Sequence, residues 1–382
     1  MSSRIDRQKN MYLNGFAGTK SQIPIDWNKL EAKAKAMMSD EAFAYIAGGA
    51  GLESTIVSNR SAFEKYKIVP RMLKDVSERD TSIELFGKRF PSPLFLSPVG
   101  VLEMVHGEAD VAVGKAAAAE DIPYIFSNQA SKPMEEVAAA MGTATRWFQL
   151  YWSKSNDLVA SLVERAERCG CSAIVVTLDT TLLGWRTRDL DLAYLPFLEG
   201  KGIAQYTSDP VFQRLIDEPD DQPVVKRTIT IESIAGLTKM VKAYPGDGFI
   251  RKLRSGRPVK AVQKFTRIYS NPALTWNDLS FLRKHTKLPI LLKGILHPDD
   301  AKLAVEHGLD GIIVSNHGGR QVDGSISTLE ALPEIVKMVN QQIPVLMDSG
   351  IRGGADMFKA IALGATAVCI GRPYVYGLPL ME

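Results

Sequence analysis

The chain has 382 residues, 45% of them hydrophobic and 23% charged, which excludes a disordered or fibrous protein and leaves ample material for a core. A formal net charge of +3, with no nucleic-acid-reading motif beside it, excludes a polyanion binder and leaves small-molecule chemistry as the default. The start, MSSRIDRQKN, carries no apolar signal core, and no run of about eighteen apolar residues occurs, so a cytoplasmic protein is expected and membrane attachment is not.

Residues 1–65 read as an N-terminal helical cap. Trp27, Leu30, Ala34 and Met38 recur at helical spacing, Glu41 to Ala47 continues the pattern, and Gly48-Gly49-Ala50-Gly51 ends it. Tyr45, just before those glycines, offers a polar tip that can be aimed into a site.

From Pro93 the texture changes to short apolar runs separated by helical stretches such as Asn156 to Cys169. The runs are Leu94–Leu96, Tyr124–Phe126, Trp147–Leu150, Ala173–Val176, Pro289–Leu292, Ile312–Val314, Pro344–Met347 and Ala367–Ile370. Eight strands alternating with helices predict an α/β fold, a (β/α)₈ TIM barrel formed as one domain over 1–382. A doubly wound sheet is the competitor, but the G-x-G-x-x-G turn is absent after the first strand.

Between the fourth and fifth strands, residues 184–266 exceed any ordinary crossover even after a helix near Trp276 to His285 is set aside, which predicts an insertion on the active-site rim. Its end carries Arg251, Lys252, Arg254, Arg257, Lys260, Lys264 and Arg267 without an acid, the composition of a solvated or subunit-contacting face.

Each run passes straight into polar residues or glycine: Ser97-Pro98, Ser127-Asn128, Gln149 with Tyr151, Thr177 with Asp179, Lys293, Ser315 with His317, Asp348-Ser349, and Gly371-Arg372. In a barrel these ends share one rim and converge on a pocket. The richest is Gly311–Gly324, GIIVSNHGGRQVDG. There His317 can move a proton near neutral pH, Arg320 can hold a carboxylate or phosphate with a planar fork, and the glycines admit a flat ligand close to the backbone. The turns Asp348-Ser349-Gly350-Ile351-Arg352-Gly353-Gly354 and Gly371-Arg372-Pro373 have the make-up of a phosphate cradle, at the loops where barrels commonly bind phosphate. Lys293 can form a Schiff base there, or stand beside a ring that gains negative charge on reduction. Cys169, Cys171 and Cys369 lack metal-ligand spacing and read as reduced, buried thiols; no metal is expected. His106, His285, His297 and His307 have no paired acids and read as structural or surface residues.

Ser315-Asn316-His317-Gly318-Gly319-Arg320-Gln321, with Tyr45-Ile46-Ala47-Gly48-Gly49-Ala50, Phe148-Gln149-Leu150-Tyr151, Thr177-Leu178-Asp179 and Leu292-Lys293-Gly294, resembles the FMN-dependent 2-hydroxy acid oxidases and dehydrogenases over almost the whole chain. The resemblance implies FMN contacts at Pro98, Val99, Gly100, Ser127, Gln149, Thr177, Lys293, Ser315, Asp348, Arg352, Gly371 and Arg372, with Lys293 stabilising the anionic reduced ring. It implies a substrate carboxylate held by Arg186 and Arg320 with help from Tyr45, a 2-hydroxyl bonded by Tyr151, and His317 as the base oriented by Asp179. It further implies a small 2-hydroxy acid and O2 as reactants, no nucleic-acid partner, and a homotetramer or larger homo-oligomer.

Within the family, Leu183-Gly184-Trp185-Arg186, the stretch Tyr206 to Phe212, and Gly100 look most like the lactate 2-monooxygenase branch, which converts L-lactate and O2 to acetate, carbon dioxide and water. The alternatives are a lactate oxidase giving pyruvate and hydrogen peroxide, a barrel lyase using Lys293 as a Schiff base, and a non-catalytic flavin-binding relative. Past Arg372 the family continues with a helix, whereas this sequence runs only to Glu382. The last barrel helix is therefore expected to be missing, with the outer face of the eighth strand bare unless another chain or the N-terminal region covers it.

Overall fold

The structure is a computed structural model that describes residues 4–219 and 230–381. Eight parallel strands close a barrel: β1 (Leu94–Leu96), β2 (Tyr124–Phe126), β3 (Arg146–Leu150), β4 (Ile174–Thr177), β5 (Ile290–Ile295), β6 (Gly311–Val314), β7 (Val345–Met347) and β8 (Ala367–Ile370), with β8 pairing back onto β1. These are the eight runs legible in the sequence. They form strands because a parallel strand buried on both faces can be apolar throughout, and helices cover the outside. Successive side chains alternate between two cores. Phe95, Ile125, Trp147, Val175, Leu291 and Ile313 fill the barrel, while Leu96, Phe126, Phe148, Val176, Leu292 and Val314 face the helices.

A short antiparallel hairpin, Ile83–Leu85 with Lys88–Phe90, precedes β1 and was not anticipated. Phe86 and Gly87 both have positive φ (51° and 69°), the requirement of a two-residue turn that matches strand twist. The hairpin brings Phe90 to 5.3 Å from Phe95 and Phe86 to 5.8 Å from Trp147, closing the barrel where its strands begin.

Before the hairpin, helices Trp27–Met37, Asp40–Ala47 and Ser54–Lys65 are described, the first two started by the side-chain caps of Asp26 and Ser39. Residues 1–3 of the expected cap and 220–229 of the expected insertion lie outside the described residues. What is described of 184–266 contains five helices: Thr187–Asp191, Ala204–Thr207, Pro210–Leu215, Ile231–Ala243 and Phe249–Ser255; a further helix, Arg257–Ile268, carries the chain past its expected end. That helix places its basic residues opposite a face that buries Pro258, Ala261, Val262 and Phe265.

After β8 come only a four-residue helix, Arg372–Val375, and a 3-10 turn, Leu378–Leu380, among the described residues. The expected bare surface on the last strand is not found: Val368, Val375 and Tyr376 are fully buried. The N-terminal region supplies the cover. Trp27 and Phe43 pack on the Tyr376 ring at 5.2 and 6.1 Å, and Tyr376 Oη donates to Glu31 Oε1 (3.0 Å). Cys171 and Cys369 are buried free thiols as expected, whereas Cys169 is half-buried.

Candidate active site

The strand ends surround one cavity of about 1030 Å³ including its mouth, in the size range of cofactor sites. Of the residues singled out from the sequence, Pro98, Val99, Gly100, Asp348, Arg352, Gly371 and Arg372 line one part of it, and Tyr45, Tyr151, Arg186, Lys293, His317 and Arg320 another. Ser127, Gln149, Thr177, Ser315 and Asp179 are not part of that lining, but Ser315 accepts from Lys293 and Asp179 faces His317, both of which are. The cavity also takes in Leu183, Phe197 and Tyr269. Phe197 and Tyr269 were missed, because nothing local marks an aromatic on a long insertion as facing a pocket.

At its centre His317 Nδ1 lies 2.7 Å from Asp179 Oδ1 and 3.2 Å from Thr180 Oγ1. A ring nitrogen facing a carboxylate carries the hydrogen, so Nδ1 donates to Asp179 and Nε2 is left free to accept a proton. Burial pulls His317 below its ordinary pKa, with Lys293 and Arg186 adding to that and Asp179 opposing it. Burial alone would raise the Asp179 carboxyl; His317 and Lys293 outweigh it and hold it at about 2. His317 is a non-glycine residue at positive φ (57°), followed by Gly318 at 66° and Gly319 at 77°. That unfavourable turn is held by side-chain oxygens: His317 N donates to Ser315 Oγ (3.1 Å), Gly318 N to Ser349 Oγ (2.9 Å) and Gly319 N to Asn316 Oδ1 (3.1 Å). A Cβ on Gly319 would meet Ile56 at 2.8 Å, so the turn admits only glycine there.

Two cations flank Tyr45. The guanidinium carbons of Arg320 and Arg186 lie 5.1 and 5.8 Å from its ring centre. Arg320 Nη1 donates to the Gly48 carbonyl (2.7 Å), and Arg186 Nη2 donates to Gln321 Oε1 (3.2 Å). No carboxylate hydrogen-bonds to either guanidinium among the described residues, and burial with the Arg186 and Arg372 charges brings Arg320 down to about 9. Two guanidiniums that no carboxylate bonds directly, with the charge of Asp189 acting on both, form a site for an anion. The Tyr151 hydroxyl nearby is held in its neutral form, its pKa raised first by burial and then by Asp179.

Lys293 Nζ donates to Ser315 Oγ (2.8 Å) and lies 3.2 Å from Asp348 Oδ2 and 4.0 Å from Asp179 Oδ2. Burial would lower its pKa, but Asp348 and Asp179 outweigh that and raise it. A lysine kept charged this way is the opposite of the free amine that Schiff-base chemistry needs.

Among the described residues, the buried side-chain atoms without a hydrogen-bond partner include Ser97 Oγ, Asn128 Nδ2, Gln149 Nε2, Thr177 Oγ1, Asp179 Oδ2 and Arg352 Nε. All six belong to residues that follow or end barrel strands around this mouth, and buried polar groups are seldom left unmet. Hydroxyls and amides beside Lys293, with arginines after β7 and β8, fit a flavin whose ring is polar at one edge and whose tail ends in phosphate. Arg372 already gives three hydrogen bonds to the carbonyls of Ile46, Gly48 and Gly318, at 3.0 Å each. It fastens the cap to the site loop as well as charging the cradle.

A model of the family described as FMN-dependent dehydrogenase matches residues 34–382. An L-lactate oxidase of Lysinibacillus sphaericus is 45% identical over 94% of this chain and 83% of its own length. A 4-hydroxymandelate oxidase of Amycolatopsis orientalis is 38% identical over 91% of this chain and 85% of its own, and human 2-hydroxyacid oxidase 1 is 36% identical over 92% and 85%. A crystal structure of mandelate oxidase with (S)-4-hydroxymandelic acid superposes with a TM-score of 0.76 at 35% identity, covering 94% of this chain and 89% of that one. With the barrel, the paired His317 and Asp179 and the unmet polar atoms of the mouth, these matches make the chain a member of the FMN-dependent 2-hydroxy acid oxidase and dehydrogenase family.

Proposed function

We propose that the chain is an L-lactate 2-monooxygenase, turning L-lactate and O2 into acetate, carbon dioxide and water. The observation that carries a 2-hydroxy acid substrate is the placement of two guanidiniums without a bonded carboxylate, Arg186 and Arg320, around Tyr45 in the same cavity as a histidine whose Nδ1 is turned to Asp179. Leu183, Phe197 and Tyr269 line the same cavity and give it apolar wall against which a small side chain can rest. Gly100 supports the monooxygenase branch: it packs against Gln129 so closely that an added Cβ would stand 3.0 Å from Gln129 Cβ and O. A second reading, a lactate oxidase releasing pyruvate and hydrogen peroxide, is favoured by the 45% identity to a protein of that name.

The substrate must lose two electrons and two hydrogens, one from the hydroxyl and one from C2. FMN, when bound, supplies the two-electron acceptor. Ser127, Gln149, Thr177 and Ser315 with Lys293 would hold its ring side, and Asp348, Arg352, Gly371 and Arg372 its phosphate side, with Pro98, Val99 and Gly100 against it. Arg186 and Arg320 fix the carboxylate, which presents C2 and its hydroxyl to His317 and Tyr151. His317 Nε2 takes the proton. The new imidazolium then faces Asp179, whose carboxylate is ionised in advance and so needs no rearrangement when the charge forms.

The test is direct: add L-lactate to the yellow protein without oxygen, then admit air. Bleaching followed by acetate and carbon dioxide supports the proposal; bleaching followed by pyruvate and peroxide replaces it with the oxidase; no bleaching refutes both.

A further inference from the structure

Arg352 is placed by a residue far from it in sequence. Its guanidinium carbon stands 4.1 Å from the centre of the Trp27 ring, at the start of the cap helix Trp27–Met37. Nη1 donates to its neighbour's carbonyl at Ile351 (3.0 Å), and among the described residues the guanidinium has no other hydrogen-bond partner, Nε being buried and unmet. Its other charged surroundings are mostly cationic: Arg372 and Arg60 act against its charge, which with burial lowers it to about 10, and Glu31 and Tyr376 oppose this only weakly. A guanidinium in that position would turn toward the nearest carboxylate or solvent if nothing held its flat face.

Trp27 is itself held. Its ring packs on Tyr376 at 5.2 Å, and the Tyr376 hydroxyl returns to Glu31, one helical turn beyond Trp27. Tyr376 N donates to the carbonyl of Arg372 (2.9 Å), so the same aromatic pair is tied to both arginines that follow the last two strands.

We propose that Trp27 is a positioning residue for phosphate: its ring carries the Arg352 guanidinium by a cation–π contact and leaves Nε and the outer N–H groups aimed at the phosphate of FMN. This rests on the reading of Arg352 as a phosphate ligand. It makes the cap helix Trp27–Met37 part of the cofactor grip as well as a cover for the last strand.

The test compares FMN with riboflavin, which has the same ring and no phosphate, by titrating each into flavin-stripped full-length protein and following flavin fluorescence. A cation–π contact of this kind corresponds to roughly tenfold in affinity. Trp27→Leu is expected to weaken FMN about tenfold while riboflavin changes less than twofold, and Trp27→Tyr, which keeps a ring, to recover most of the loss. Should Trp27→Leu fail to fold, Trp27→Phe is read by the same ratio and is expected to fall between wild type and that loss. Equal weakening of both ligands, or an unchanged FMN affinity in the Trp27 variants while Arg352→Leu lowers it, overturns the role of Trp27 and leaves the phosphate reading intact. An Arg352→Leu protein with an unchanged FMN-to-riboflavin ratio overturns the phosphate reading itself, and Trp27 with it.

Discussion

His317 Nδ1 and Asp179 Oδ1 are 2.7 Å apart, while the other oxygen of that carboxylate has no hydrogen-bond partner and lies 4.0 Å from Lys293 Nζ. One carboxylate therefore serves two groups: it orients the imidazole proposed as the base, and it neutralises part of a lysine that is held charged. Burial first, and Lys293 with it, hold the imidazole below its ordinary pKa, while Asp179 opposes them and is ready to stabilise a proton that arrives.

Asp179→Asn separates those effects. On the proposed role of His317 as the base, turnover needs it neutral, and its pKa lies below the ordinary 6.5, so wild-type kcat/KM should rise with pH on the acid side of 6.5 and be flat above it. Asparagine cannot stabilise the imidazolium, which moves that limb to lower pH and lowers the plateau by about 10²–10⁴-fold. A variant with an unmoved limb and near-normal rate in stopped-flow flavin reduction would show that the pair is structural.

Lys293→Met leaves Asp348 as an uncompensated carboxylate inside the barrel. Breaking a buried pair from one side costs about 3–5 kcal/mol, so the variant should melt earlier and bind FMN weakly. The wild-type lysine, being held charged, should give no covalent adduct when a carbonyl substrate is trapped with borohydride. A mass shift at Lys293 would restore the lyase alternative.

The barrel was legible because parallel strands buried on both faces write themselves as unbroken apolar runs, and each run here ends in a polar residue aimed at one rim. His317 and Asp179 were legible as residues, but their pairing needed the family resemblance, since 138 positions separate them. Phe197 and Tyr269 reach the cavity through tertiary packing of an insertion, which leaves no periodic signature. Trp27 looked like any apolar residue at helical spacing; what sets it apart is the cation stacked on it. The hairpin was hidden by its brevity: Ile83-Glu84-Leu85 alternates as a strand does, but three residues are too few to register, and Lys88-Arg89 in the second strand are both polar. Of the two covers the sequence left open for the last strand, another chain or the N-terminal region, the structure shows the second, through Trp27 and Phe43 on Tyr376.

Asp110 supplies a pH-dependent stability term. It is fully buried behind the loop that carries Gln129, accepts hydrogen bonds from Ser131 N (2.7 Å) and Lys132 N (3.3 Å), and is raised to about 7 by burial. A carboxyl whose folded pKa exceeds its unfolded value near 3.8 binds its proton more tightly when folded. Its contribution is complete below about pH 4 and is lost as pH rises through 7. Asp110→Asn keeps an acceptor oxygen and cannot ionise, so the variant should gain on wild type by about 1 kcal/mol or more between pH 5 and pH 8. Parallel pH profiles of the denaturation midpoint would remove Asp110 as the source.

Arg165 anchors the first part of the segment that contributes Phe197 to the cavity wall. Only 4% of its side chain is exposed, and none of that of Asp209, 3.1 Å away. Arg165 also donates to the Gln205 carbonyl and Ser208 Oγ, both at 2.8 Å, and grips Glu135 through two hydrogen bonds of 2.9 Å. Asp209 in turn accepts from Ser161 Oγ (2.8 Å) and caps the helix Pro210–Leu215 through Val211 N (2.8 Å). Arg165→Met strands a carboxylate that has no solvent to turn to and should cost about 3–5 kcal/mol in denaturant unfolding. Removing the second charge as well, in Arg165→Met with Asp209→Asn, leaves the cap and the serine contact in place and takes away the stranded charge. The double variant should therefore be more stable than the single one, because the penalty belongs to the unpaired ion more than to the missing contact. If the double variant is the less stable of the two, the pair holds the segment by its own attraction, and the desolvation argument fails.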